Sequence, residues 1–329
     1  MIVRSLGPLV LLAIVWGGSI PLTKLGLRDI PPLTLTALRY LTAAPCFLWL
    51  LRGRRLPPAG ASAAAAALGL LGIGVGQVSQ TLGVRLTPAS VATVVSALIP
   101  VLVVALAAVR LRQPVGGTQA AGLAAALLGV ALVAGGDPRA LLNAARSVTP
   151  LQPAAWPSVA PAHPAALAGV GLLLLSSVAV ALYYVLSVEL IERYSVLTIA
   201  AISSLAGAAA LIPVAVWELG HAPVRLTASA ILSVLYLGLL VTVAGLWVWF
   251  GALMTLPARI PAALQYLQPI VGVLASAALF GDRLDRWFWT GTALVLAGIA
   301  LSAGTRSGAA SRSGAAVARR PGINESSSA

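Results

Sequence analysis

The sequence predicts an all-α integral membrane protein of ten transmembrane helices, arranged as two inverted five-helix repeats. Three observations carry that expectation. Hydrophobic residues make up 59% of the 329 residues, only 9% are charged, and mean hydropathy is +0.98. A soluble domain carries about a quarter charged residues. Apolar stretches close to the ~20 residues that cross a bilayer recur along the chain. Finally, the pattern repeats: LGLL at Leu68–Leu71 returns at Leu237–Leu240, 169 positions later. The same offset maps Pro88 onto Pro257, Pro100 onto Pro269, Gly122 onto Gly291, Gly129 onto Gly298 and Gly135 onto Gly304, with no gap from Ala67/Tyr236 onward. A duplicated polytopic chain is the pattern of a transporter with its binding site between the halves.

Spans are expected at 6–23, 33–51, 64–84, 88–109, 117–135, 166–188, 196–217, 228–253, 258–280 and 287–303. The first lacks a small-residue cleavage site and runs on into Trp16-Gly17-Gly18-Ser19, so it reads as a retained span rather than a signal peptide. The second opens on Pro31-Pro32. The third carries Gly69, Gly72, Gly76 and Gly83, a small-residue seam for close helix contact. The fourth and ninth start after two-residue connections, Leu86–Thr87 and Leu256–Pro257, which force antiparallel neighbours; each has a proline in mid-span, Pro100 and Pro269. Residues 1–136 form the first repeat and 166–304 the second. Between them, 137–165 holds Pro138, Pro150, Pro153, Pro157, Pro161 and Pro164 and reads as a linker with one short helix around Arg139–Arg146. Residues 305–329, rich in Ser, Gly, Ala and Arg, read as a disordered basic tail.

An odd number of spans per half places the second half upside down relative to the first, about a pseudo-twofold axis in the membrane plane. Cation placement sets the orientation. With both termini cytoplasmic, Arg4, Arg52, Arg54, Arg55, Arg110 and Arg112 fall inside, and Lys24, Arg28 and Arg85 outside. The second half is more evenly divided. The expected location is the plasma or inner membrane, multi-pass. The net charge of +13 sits in short loops and in the tail (Arg306, Arg312, Arg319, Arg320), where anionic lipid headgroups meet it, and does not indicate nucleic acid. Cys46 has no partner for an internal disulfide.

At these landmarks the chain resembles the EamA-type family of the drug/metabolite transporter superfamily. The resemblance rests on Trp16-Gly17-Gly18-Ser19 with Lys24 following, Pro31-Pro32 with Arg39, the paired Pro100 and Pro269, Phe280-Gly281-Asp282-Arg283-Leu284, and Gly291 with Gly298-Ile299, and covers roughly 6–304. The chain departs from it at Arg112-Gln113, where the family often has Glu, and at Asp282, which replaces Glu. The resemblance implies a small-molecule permease, commonly an exporter of amino acids, related metabolites or drugs.

Polar side chains at lipid depth are costly unless they face a cavity or a partner. Gln77 and Gln80 share one face of the third span; Gln80 is the better cavity candidate, against a role in interhelical hydrogen bonding. The repeat maps Gln80 onto Trp249 and Ser96 onto Gln265, so a site on the axis is lined by all four, with Thr93 one turn before Ser96 and Tyr266 beside Gln265. Amide and hydroxyl groups hydrogen-bond amino or carboxylate groups, and Trp249 offers an apolar or cation-binding face. Trp16, Ser19 and Tyr183, chosen over the adjacent Tyr184, are further lining candidates. Arg39, about seven residues inside the second span, either attracts an anionic substrate group or, the favoured reading, snorkels to the interface or pairs with backbone carbonyls at a helix end, as Lys24 does more readily. Pro100 and Pro269 each remove a helix hydrogen bond and form a symmetric gating pair. Glu189 is the only carboxylate expected near a span, and its natural partner is Arg193 one turn on. No carboxylate pair, metal-ligand cluster or Ser/His arrangement lies at common depth, so no cofactor or metal is expected and a membrane-embedded enzyme is a remote alternative. The nearer alternative is a carrier or flippase for phosphorylated sugars or lipids, which needs several cations at depth. Expected partners are a small-molecule substrate and membrane lipids; a homodimer is compatible with the pattern.

Overall fold

A computed structural model describes residues 2–110, 112, 116–135, 164–255, 266–282 and 284–304. Eight of its helices are long and apolar enough to cross a bilayer: Gly7–Gly26, Pro32–Leu51, Ala59–Leu86, Ala89–Arg110, Gly117–Ala134, Ala165–Arg193, Val196–Leu219 and Ala228–Trp249. A shorter apolar helix, Leu267–Phe280, and a helix over Arg286–Gly304 follow. In order these lie on the first to the tenth expected spans. The third and sixth run past their expected ends, because helical hydrogen bonding continues from the apolar run into the polar interface. The expected linker helix, the tail and the start of the ninth span lie outside the described residues.

Proline and glycine place the breaks. The first span is two helices, Ile2–Gly17 and Ser19–Gly26. Pro21 has no N–H to offer the Gly17 carbonyl, so the ladder is interrupted there. The fourth span breaks into Ala89–Ser96 and Ile99–Arg110, with Leu98 N–H donating three residues back to Val95 O at 3.1 Å. Pro100 leaves the Ser96 carbonyl without its helical donor in the same way. In the ninth span Pro269 sits in the first turn of Leu267–Phe280, where its missing N–H costs the described helix nothing.

The third and eighth spans each contain a π-helical segment, Leu70–Gln77 and Tyr236–Ala244. Under the repeat these overlap, so both halves widen the same helix at the same depth. Such widenings are rare and concentrate at functional sites.

Helix contacts follow the repeat as well. Gly69 abuts the Ser203 carbonyl on the seventh span, while its equivalent, Gly238, abuts the Arg39 carbonyl on the second. Gly76 packs on Val180 of the sixth span, and its equivalent, Gly245, packs on Trp16 of the first. Between the fifth and tenth helices, a Cβ at Gly122 would stand 2.8 Å from the Gly298 carbonyl oxygen, and one at Gly291 would stand 2.5 Å from that of Gly129. Gly122 and Gly291 are repeat equivalents, as are Gly129 and Gly298, so each contact is the other with partners exchanged. That exchange is the property of a self-complementary, twofold interface. Only glycine allows backbones this close, and van der Waals contact holds the pair where lipid supplies no hydrophobic drive.

The main core joins the first, fourth, fifth, sixth, ninth and tenth spans around Ile20, Val95, Leu98, Val130, Leu173, Val273 and Val295. Large apolar side chains point outward instead, with Leu11, Trp49, Val109 and Trp247 all more than half exposed, as suits a lipid-facing surface. Several buried hydroxyls are satisfied inside their own helices: Thr36 donates to Pro32 O and Ser276 to Gly272 O.

Candidate functional site

The Trp-Gly-Gly-Ser run of the first span is a three-way junction. The Trp16 indole Nε1 donates to the Val241 carbonyl at 2.9 Å, within the eighth-span π segment. Gly17 admits the ninth span, since a Cβ there would lie 2.7 Å from the Gln268 carbonyl oxygen. Gly18 makes room for the Tyr236 hydroxyl, which donates to Val15 O at 2.8 Å. Trp16 and Trp249 come together, ring centroids 5.5 Å apart, over Leu9, Leu12 and Ala252.

A second polar centre forms around Arg39. Its Nε donates to Thr242 Oγ1 on the eighth span at 3.1 Å, and its Nη1 donates to Gln77 Oε1 on the third at 2.9 Å. The guanidinium lies over the Tyr40 ring, 5.3 Å from its centroid. Thr242 in turn donates to Leu237 O at 2.8 Å, five residues back along the π segment. Arg39 therefore bonds side chains of both halves, not the backbone carbonyls expected of a structural arginine. Tyr183 packs its ring on Gly72, whereas the neighbouring Tyr184 is 52% exposed.

Gln80 and Ser96 are half-buried, and their side chains form no hydrogen bond among the described residues. Gln265 lies outside those residues. Thr93 is buried, donates to Ala89 O and packs against Gly272, placing the fourth span on the ninth. The structure thus brings Trp16 to Trp249 and gathers Gln77, Thr242 and Tyr40 at Arg39; it shows no contact that unites these groups with Gln80 or Ser96. Gln77 and Thr242 were the legible signals for the second centre: both are polar at lipid depth, yet neither is the repeat equivalent of a nominated residue.

The span ends are held by charges. Lys24 Nζ donates to the carbonyls of Val84, Arg85 and Thr87 at 2.9, 3.2 and 2.6 Å, closing the C-terminus of the third span. At the start of the fourth, Asp282 Oδ2 accepts from Ser90 N–H at 2.8 Å. Glu218, buried at the end of the seventh span, accepts from Thr34 N–H at 2.7 Å and from Thr34 Oγ1 at 2.8 Å. Glu189 pairs with Arg110 of the fourth span rather than with Arg193. The helix turns Arg193 toward a groove of 720 Å³ between the third and sixth spans, whose wall includes Ala64, Leu71 and Leu186 and none of the nominated residues. Among the described residues no group of His, Cys, Asp or Glu could hold a metal ion.

The model of the EamA-like transporter family matches residues 6–135 and 167–304. The chain is 26% identical over 293 residues to an uncharacterized transporter of Archaeoglobus fulgidus, covering 86% of this chain and 93% of the relative. It is 28% identical over 305 residues to a probable terminal-alkyne amino-acid exporter of Streptantibioticus cattleyicolor, covering 91% and 93%. A crystal structure with 19% identity superimposes with a TM-score of 0.59 over 90% of this chain and 95% of its own, a likeness of fold alone.

Proposed function

Because this chain belongs to the EamA-like transporter family, we propose that it is an exporter of a small polar or amphipathic metabolite, amino acid-like or drug-like, working by alternating access between two inverted five-helix halves. It is a multi-pass membrane transporter and not an enzyme. The observation that carries the mechanism is the exchange of equivalent contacts between the fifth and tenth helices. Such an exchange is what a twofold axis across antiparallel partners produces, and it supports ten spans with inverted halves. The paired π segments support a site at the axis, where Trp16, Gln80, Ser96, Tyr183, Trp249, Gln265 and Arg39 line the path and Pro100 and Pro269 flex the fourth and ninth spans. In this reading both termini face the cytoplasm and the protein resides in the plasma or inner membrane. Amino-acid export is favoured by the Streptantibioticus relative's description.

The test is flux in proteoliposomes loaded with labelled amino acids. The reading expects efflux above protein-free vesicles for at least one of them, saturable and competed by unlabelled solute. Efflux equal to that of protein-free vesicles for every amino acid overturns it.

A further inference from the structure

Among the described residues the Arg39 centre is a cation without an anion. Arg39 lies about two turns, ~10 Å, inside a helix beginning at Pro32. A charge at that depth is expensive unless it is paired or functional. Among the described residues the carboxylates are engaged elsewhere or lie at span ends. Glu218 holds Thr34, Glu189 holds Arg110, Asp29 accepts from Thr227, Asp282 caps Ser90 and Asp285 caps Phe288. Arg39 has only neutral partners, Thr242, Gln77 and the Tyr40 ring.

Those partners occupy only part of the guanidinium. A guanidinium carries five N–H donors in a planar fork. Nε and Nη1 are engaged, and Nη2 makes no hydrogen bond among the described residues. Arg39 is itself only half-buried. Both π segments reach this centre, one through its last residue Gln77 and the other through Thr242, so the widened helices of the two halves meet on the same side chain.

We infer that Arg39 is the point at which the transported solute is recognised by its carboxylate. The free Nη edge takes the two carboxylate oxygens in a bidentate pair, while Gln77 and Thr242 keep the fork oriented. The inference rests on the proposed transport function and narrows its substrate class to carboxylic acids, including amino acids. A phosphate monoester, with ≈ −1.5 to −2 charge at neutral pH, is poorly matched to one cation. The pair also bears on gating. Arg39 bridges to Thr242 of the opposite half, so a carboxylate that draws the guanidinium outward competes with that bridge.

The experiment uses the purified full chain in detergent. Thermal stabilisation is measured with the standard L-amino acids and L-propargylglycine, and with the carboxamide of each, which keeps the side chain and removes the acid. Wild-type protein is expected to be stabilised by at least one acid and at least about tenfold less well by its amide, the loss of a bidentate charged pair. Arg39→Gln should bind acid and amide alike. Arg39→Lys, which keeps the charge but not the fork, should still prefer the acid with affinity lowered about tenfold. Equal stabilisation of wild type by acid and amide overturns the carboxylate subsite and leaves transport standing. So does an acid preference that survives Arg39→Gln. If that variant does not fold, unchanged acid affinity in Arg39→Lys overturns it. Should no compound of either series stabilise the wild type or leave loaded proteoliposomes, the amino-acid reading fails and the subsite with it.

Discussion

Glu218 and Gln80 show two ways in which a polar side chain enters an apolar helix. Glu218 is buried and bonded twice to Thr34, closing the first turn of the second span. Replacing it by alanine leaves a buried N–H without its acceptor, so Glu218→Ala should cost about 1.5–3 kcal/mol of stability. The expected readout is a lower melting temperature in detergent with ligand affinity retained in the protein that remains folded. Gln80 has no such bond among the described residues, and the proposed function places it on the lining of the path. Gln80→Ala should therefore weaken solute binding by ~1–2 kcal/mol and leave the melting temperature in place, and Gln265→Ala should do the same. Titration and melting on the same purified variants separate the two behaviours. Unchanged affinity in both glutamine variants would remove them from the site and leave Trp16, Arg39 and Tyr183. Gln80 was legible as polar at lipid depth. Glu218 was not, because it stands one residue beyond the expected apolar run, and only the long seventh helix reaching Leu219 carries it under the second span.

Among the elements, the broken fourth span and the fifth–tenth pair make opposite predictions. The break at Ala97–Leu98 follows from Pro100 and is visible in sequence once the proline is placed in mid-span. Pro100→Ala restores a donor to the Ser96 carbonyl and should straighten the helix. Transport is expected to slow while equilibrium affinity changes little, and wild-type rates in both Pro100→Ala and Pro269→Ala would exclude a gating role for the pair. The fifth–tenth pair should tolerate nothing larger than glycine. A Cβ at Gly298 would lie 2.5 Å from the Gly122 carbonyl oxygen, a backbone atom that cannot step aside alone. Gly298→Leu should cost upwards of about 3 kcal/mol and lower the yield of folded protein, whereas Gly171→Leu, where a Cβ meets nothing within 4 Å, serves as the neutral control. The glycines themselves were legible through the repeat. Which glycine meets which was not, because the offset aligns Gly122 with Gly291 whereas the packed helices run antiparallel and set it against Gly298.

For the whole molecule, the proposed function expects the halves to cross the membrane in opposite senses, a reading that the exchange of equivalent contacts supports. Reporter fusions in the 137–165 linker and after residue 304 should then report opposite sides, with the C-terminal reporter cytoplasmic. Reporters on the same side mean that one of the helices, most plainly the short Leu267–Phe280, does not cross. The halves meet through glycine seams, Arg39 and the Trp16–Val241 bond.

Sequence by itself determined the helical membrane class, the order of the apolar segments, the duplication and the family. Each depends on composition and on periodicities along the chain, which survive without knowledge of what lies opposite. Tertiary structure decided which polar residue meets which. The partners of Arg39 are 38 and 203 positions away, and Trp16 reaches 225 positions to Val241. Glu189 turned from its neighbour Arg193 to Arg110 for the same reason. At lipid depth a polar group must find a partner inside the protein, and helix rotation and the close approach permitted by glycine, not distance along the chain, select it.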